Sequence, residues 1–151
     1  MTAVPSATGK KPSSPRRRAR EFVIQGLYQH LVGGQDEASI RAQAEGVAGF
    51  EKADGALYQA LLAETLNDAD ALEESLAPFI DRKWKDISPI ERSILLAGAC
   101  ELKHHPETPW RVIINEAIEL ARTYGGTDGH KFVNGILDKL APVLRHDEAG
   151  R

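Results

Sequence analysis

Cysteine is almost missing from this 151-residue chain. Cys100 stands alone, which excludes an intramolecular disulfide and a cysteine-rich zinc site. No apolar run approaches the ~18 residues of a membrane span, and no apolar segment follows the start, so neither membrane insertion nor secretion is expected. No stretch alternates apolar and polar residues with period two, and no Asn-Gly turn separates two β-branched runs, which removes the usual signs of a sheet. His104 and His105 are adjacent and so point apart. No HExxH or Cys/His spacing occurs, and no serine or cysteine lies in a nucleophile setting. No catalytic residue, metal or cofactor is therefore expected, and the chain reads as a non-enzyme of a reducing cytoplasm. Acidic residues are also missing from positions 1–20.

What is present is an ordinary globular composition, 42% hydrophobic and 27% charged, in one domain's length. The net charge of −3 conceals an asymmetry. Lys10, Lys11, Arg16, Arg17, Arg18 and Arg20 give the first 20 residues +6, while 13 basic and 22 acidic side chains leave the remainder at −9. A basic arm on an acidic body suits a localised polyanion contact.

Residues 1–15, rich in Pro, Ser, Thr, Ala and Lys, offer little to bury and read as a disordered basic arm; the same composition also fits an appended tag. Residues 16–145 read as the folded domain. Ser14-Pro15 is an N-cap and N1 pair, and Gly33-Gly34 a helix stop, so a first helix is expected to about Val32. Asp36 is placed to cap a short helix carrying Ile40, Ala44, Val47 and Phe50. Asp54 caps a longer one from Leu57 to Leu76, ended by Pro78, with a turn or loop over 79–85. Ser88-Pro89-Ile90-Glu91 matches a capping box, in which the glutamate reaches back to the serine N–H. The helix it opens is apolar nearly all round, from Ile90 to Leu102, and so is the central, buried one, with Cys100 in the core. Thr108-Pro109 starts a helix to Tyr124 with an apolar arc at Trp110, Ile113, Ile114, Ala117, Leu120 and Ala121. Asp128 caps the last helix, and Pro142 closes it. The fold class is all-α, a bundle of six or seven helices.

Two motifs carry candidate chemistry. Arg16, Arg17, Arg18 and Arg20 open the first helix, with Arg16 and Arg20 aligned on its apolar stripe, so their ends must project past the core or snorkel from it. Composition divides evenly between a solvated basic helix start and a phosphate contact. The cost of cations at a helix N-terminus, a few tenths of a kcal/mol each, favours the contact. The corner Tyr124 to Phe132 lacks the Gly-Lys-Ser/Thr of a nucleotide loop and follows no strand, which argues against ATP. It reads as a helix–helix corner whose Tyr124, Lys131 and Phe132 also suit stacking and phosphate contact with single-stranded RNA. Glu91 and Glu101, on the central helix, fit a partner contact or cap better than catalysis.

Together the segments RRRARE and QGLYQ (within Arg16 to Gln29), INEAIELAR (Ile114 to Arg122) and HKFVNGILDKLAP (His130 to Pro142) resemble the NusB family of bacterial transcription antitermination factors. The likeness runs from about Arg16 to the end. A related helical domain precedes the catalytic domain of some ribosomal-RNA cytosine methyltransferases, but no methyl-donor domain follows here. The resemblance implies two three-helix halves around a shared core. It also implies binding of boxA RNA together with NusE, a small-subunit ribosomal protein, and loading onto RNA polymerase so that ribosomal-RNA operons escape termination. Carried over, the RNA side is Arg16, Arg17, Arg18, Arg20, Asp128, Lys131 and Phe132, and the NusE-like face is Tyr28 and Glu91. A homodimer is left open. Two departures stand out: the arm is longer than the family's usual leader, and Gly26 replaces a usual alanine inside the first helix, which suggests a close helix–helix approach there. The rival readings are a protein scaffold with a solubilising arm and a free-standing relative of the methyltransferase domain acting in ribosome assembly.

Overall fold

Ser14 Oγ accepts the Arg17 N–H at 3.1 Å, and Pro15 fills the first helical position, where no donor is needed. The computed structural model describes residues 13–146; most of the basic arm, with Lys10 and Lys11, lies outside them. The first helix, α1 (Pro15–Gly33), ends at Gly34, whose φ of 70° sits in the left-handed region that glycine enters freely. Then follow α2 (Glu37–Glu45), α3 (Gly55–Asn67), α4 (Ala69–Leu76), α5 (Pro89–His104), α6 (Trp110–Tyr124) and α7 (Gly129–Leu144). Single 3-10 turns occupy Phe50–Lys52, Ala77–Phe79 and Trp84–Asp86. Among the described residues the fold is all helical, and no helix is long and apolar enough to cross a membrane.

Asp36 and Asp54 cap α2 and α3 through their side chains. Several boundaries differ from expectation, each for a local reason. The second helix stops at Glu45 before Gly46. Val47 is exposed, and Phe50 turns inward to meet Phe22 and Tyr58 edge-on at ring-centroid distances of 4.9 and 5.1 Å. The long helix expected up to Leu76 is two, because Asp68 leaves helical geometry at the α3–α4 junction. Its carboxylate takes Lys103 Nζ at 2.7 Å and His104 Nε2 at 2.9 Å, contacts that hold it below the usual carboxylate range. Thr108 does not cap α6; it is buried and receives Arg16 instead. Pro142 sits inside the last turn of α7 rather than beyond it.

The fifth helix is buried on all sides, as its composition requires, and packs against α1, α3, α4, α6 and α7. One half groups α1, α2 and α3; the other groups α5, α6 and α7, with α4 against α5 and α7. Cys100 is fully buried, and burial pushes its thiol up to about 12, so it is inert at neutral pH.

Gly26 marks a point of close approach. A Cβ there would lie 2.6 Å from Ile40 Cγ2 and 3.4 Å from Leu62 Cδ1. The glycine therefore admits α2 and α3 against α1 at a loss of helix propensity. Gly26→Ala is expected to destabilise the fold by about 1–3 kcal/mol despite alanine's better propensity. Urea denaturation followed by circular dichroism checks this, and a more stable variant would show that the approach is loose.

Arg145 locks the end of α7 onto the end of α5. The buried guanidinium donates to Leu102 O at 2.6 Å, His105 O at 2.8 Å, Thr108 O at 3.0 Å and Glu101 O at 3.3 Å. A cation is favoured at the Glu101, Leu102 and His105 carbonyls because they carry the negative end of the α5 dipole. Arg145→Ala takes the side-chain donor from Leu102 O and Thr108 O, while Glu101 O and His105 O keep the backbone N–H groups of His105 and Thr108, so a loss of about 2–4 kcal/mol is expected in the same denaturation measurement. A loss below 1 kcal/mol, within about the range of an exposed site, would show that water replaces the side chain.

Candidate nucleic-acid interface

The arginines at the start of α1 do not share one environment. Arg20 does not snorkel: it is buried and meets buried Glu101 of α5 side-on, Nε to Oε1 at 2.8 Å and Nη2 to Oε2 at 2.7 Å. Burial opposes its charge, and the hydrogen bond and field of Glu101 more than offset this, so its pKa is raised. Arg17 makes the same two-bond contact with Glu116 of α6, at 2.9 and 2.8 Å, and Glu116 also lies 4.0 Å from Arg20. Arg17, Glu116, Arg20 and Glu101 thus alternate in sign along one chain of contacts. Arg16 is exposed, with weak contacts to Thr108 Oγ1 at 3.3 Å and Asp54 Oδ2 at 3.7 Å. Arg18 turns the other way, toward Gly49, and its Nε has no hydrogen-bond partner.

Of the four candidate RNA arginines, Arg20 is therefore held as a structural ion pair. The physical reason is that a carboxylate stands on α5 at the depth where the apolar stripe of α1 carries Arg20. Glu101, read as a partner contact or cap, is that carboxylate. Arg17 is shared with Glu116, while Arg16 and Arg18 keep donors that no carboxylate holds side-on.

The second cluster is the α6–α7 corner. Asp128 occupies the cap position of α7 but does not cap it. Its φ is 64°, an uncommon conformation for a non-glycine residue, and its carboxylate turns outward to Lys131 Nζ at 3.4 Å. Asp128 and Lys131 are exposed, and Phe132 is half-buried. The Phe132 ring carries the Arg82 guanidinium 4.4 Å from its centroid, a contact between segments fifty residues apart that no local sequence pattern pairs. Ser88 Oγ accepts the Glu91 N–H at 3.2 Å, which is one half of the expected capping box. The other half is not made: the Glu91 carboxylate lies against the backbone of Gly125 and Gly129, and a Cβ at Gly129 would collide with it.

The first and sixth helices run alongside each other, joined by Arg17 with Glu116 at one end and by Gln25 with Tyr124 further on. Burial raises the pKa of Tyr124 there, and Glu21 adds to the shift. The eight residues from Arg17 to Gln25 correspond to about 12 Å of helix. Arg17 and the α6–α7 corner thus lie toward opposite ends of one α1–α6 seam. Tyr28, half-buried at the edge of the core, stands one turn beyond Gln25, and Glu91 touches the same corner.

The NusB family model matches residues 17–142. The transcription antitermination protein NusB of Dechloromonas aromatica is 55% identical over 137 residues, covering 91% of this chain and 84% of that one. Its counterpart in Aromatoleum aromaticum is 56% identical over 138 residues, covering 90% and 95%. Among solved structures, T. maritima NusB superposes with a TM-score of 0.73 at 28% identity, covering 93% of this chain and 95% of that one. A complex of the antitermination factors NusB and NusE with double-stranded RNA gives a TM-score of 0.72 at 16% identity, covering 84% and 96%, and shares the fold. A match over this span and at this identity settles the family: the chain belongs to the NusB family.

Proposed function

We propose that this chain is an RNA-binding transcription antitermination factor. It recognises boxA-type single-stranded RNA together with a NusE-like small-subunit ribosomal protein. In the cytoplasm it joins the RNA polymerase antitermination complex that supports ribosomal-RNA transcription. The observation that supports the reading is the α1–α6 seam, which runs from Arg17 with Glu116 to Gln25 with Tyr124 and ends at the corner carrying Asp128, Lys131 and Phe132. Curated relatives more than half identical to it bear the antitermination name. The related NusB and NusE complex holds double-stranded RNA. For this chain an unpaired strand is favoured, because a base can stack on aromatic or guanidinium planes only when it is free of its neighbours.

Arg16 and Arg18 are the phosphate contacts of this reading, Arg17 exchanges Glu116 for phosphate on binding, and Arg20 positions the run. Replacing Arg16 and Arg18 with alanine is expected to weaken binding of a boxA-type oligoribonucleotide. The slope of log affinity against log salt should fall by roughly 0.7 for each phosphate no longer neutralised, with little change in melting temperature. Arg20→Ala should behave differently, costing about 3–5 kcal/mol of stability by leaving Glu101 buried without its partner. An unchanged salt slope in the double variant would overturn the RNA assignment, and a duplex bound more tightly than the single strand would overturn the strand preference.

Tyr28 and Glu91 form the protein-facing side of the proposal. Glu91→Lys places a cation where a carboxylate now faces the corner before α7. It should abolish binding of the NusE-like partner while the helical signal persists, as measured by calorimetric titration and circular dichroism. Full partner affinity in that variant would restrict Glu91 to bracing the corner.

A further inference from the structure

Arg82, Lys83, Trp84 and Lys85 set three cations and an aromatic ring in four consecutive positions ahead of α5, and the RNA reading above gives none of them a role. The segment is fixed from within, since Trp84 packs against the core and Ile87 is buried. Arg82, Lys83 and Lys85 remain exposed. Arg82 Nε donates to Asp81 Oδ1 at 3.2 Å, and its guanidinium lies 4.4 Å from the centroid of the Phe132 ring. One contact holds the group by an edge and the other by a face. With its side chain 47% exposed, Arg82 is still open to solvent.

We propose that Phe132 and Arg82 form a two-layer platform on which an unpaired nucleobase stacks, the base lying on the outer side of the guanidinium. The proposal rests on the RNA reading above and extends it to a segment that reading does not include. Arg82 covers the ring where a base would otherwise lie, so stacking on that side goes through the arginine. A guanidinium suits this role because it is planar, weakly hydrated and stacks on π faces, properties an ammonium lacks. Its position over Phe132 is already set before RNA arrives, which lowers the ordering cost of binding. Asp81, Asp86 and Asp128 lie in the same segments and offset much of the positive charge, so the platform works through stacking more than through net charge. Lys83 and Lys131, each next in sequence to one layer, supply the cations for flanking phosphates.

That distinction defines the test. A single-stranded boxA-type oligoribonucleotide carrying 2-aminopurine at successive positions reports stacking by fluorescence quenching and affinity by titration. Arg82→Lys keeps the charge and loses the plane. It is expected to bind about tenfold more weakly, within the range of one base stack, and to abolish quenching at one nucleotide without changing the salt slope. The double alanine variant of Arg16 and Arg18 should do the reverse, losing slope while retaining that quenching. Phe132→Leu should weaken binding in the same way as Arg82→Lys. If wild-type protein binds the RNA but Arg82→Lys matches it in affinity and quenching, the platform is overturned and the RNA reading stands. If wild-type protein does not bind the RNA, both fall.

Discussion

The buried ion pair between Arg20 and Glu101 governs how the first helix meets the rest of the molecule. Two charges withdrawn from water are tolerated only when each satisfies the other, and the two-bond contact at 2.8 and 2.7 Å does so. Such a pair adds little net stability against an apolar alternative. It does penalise any arrangement that separates its members, and so it acts on the register between α1 and α5. Once Arg20 is set, the neighbouring arginines follow from helix geometry. Arg17 is carried to Glu116 on α6, Arg16 to the connector before α6, and Arg18 toward Gly49. A basic run that looks uniform in sequence becomes a graded one, with one arginine buried, one shared, one half-buried and one exposed.

The fifth helix collects these constraints. Near its C-terminal end Glu101 faces Arg20, and Arg145 gathers the last carbonyls. Lys103 and His104 hold the Asp68 junction, and His105 Nε2 meets Glu64 of α3 at 2.6 Å. The opposite end, at Glu91, touches the α6–α7 corner that carries Asp128 and Phe132. One buried helix therefore connects the elements holding the basic run with those holding the corner. That connection gives the proposed RNA and protein faces a common rigid support without any movement being required.

Much of the architecture is legible in the sequence because its signals are local. Ser14, Asp36, Asp54 and Ser88 cap the helices they precede, Gly34 ends the first, and the all-round apolar character of α5 marks it as central. Departures arise where a longer-range contact overrides a local pattern. Asp68 interrupts an apolar periodicity because its carboxylate is drawn to Lys103 and His104. Phe50 leaves the expected second helix because an aromatic pair awaits it in the core.

The sequence by itself determined the helical class, most helix starts, the burial of Cys100 and the segments carrying the family likeness, since each depends on residues within a few turns of one another. Only the tertiary structure decided which arginines are open, because the carboxylates that claim Arg17 and Arg20 lie 99 and 81 positions away. It alone turned Glu91 from a helix cap into a brace of the α6–α7 corner, placed Arg82 on Phe132 and closed α7 onto α5 through Arg145. Charge and periodicity establish that such side chains need partners. Which partner each one finds is settled by how the helices pack.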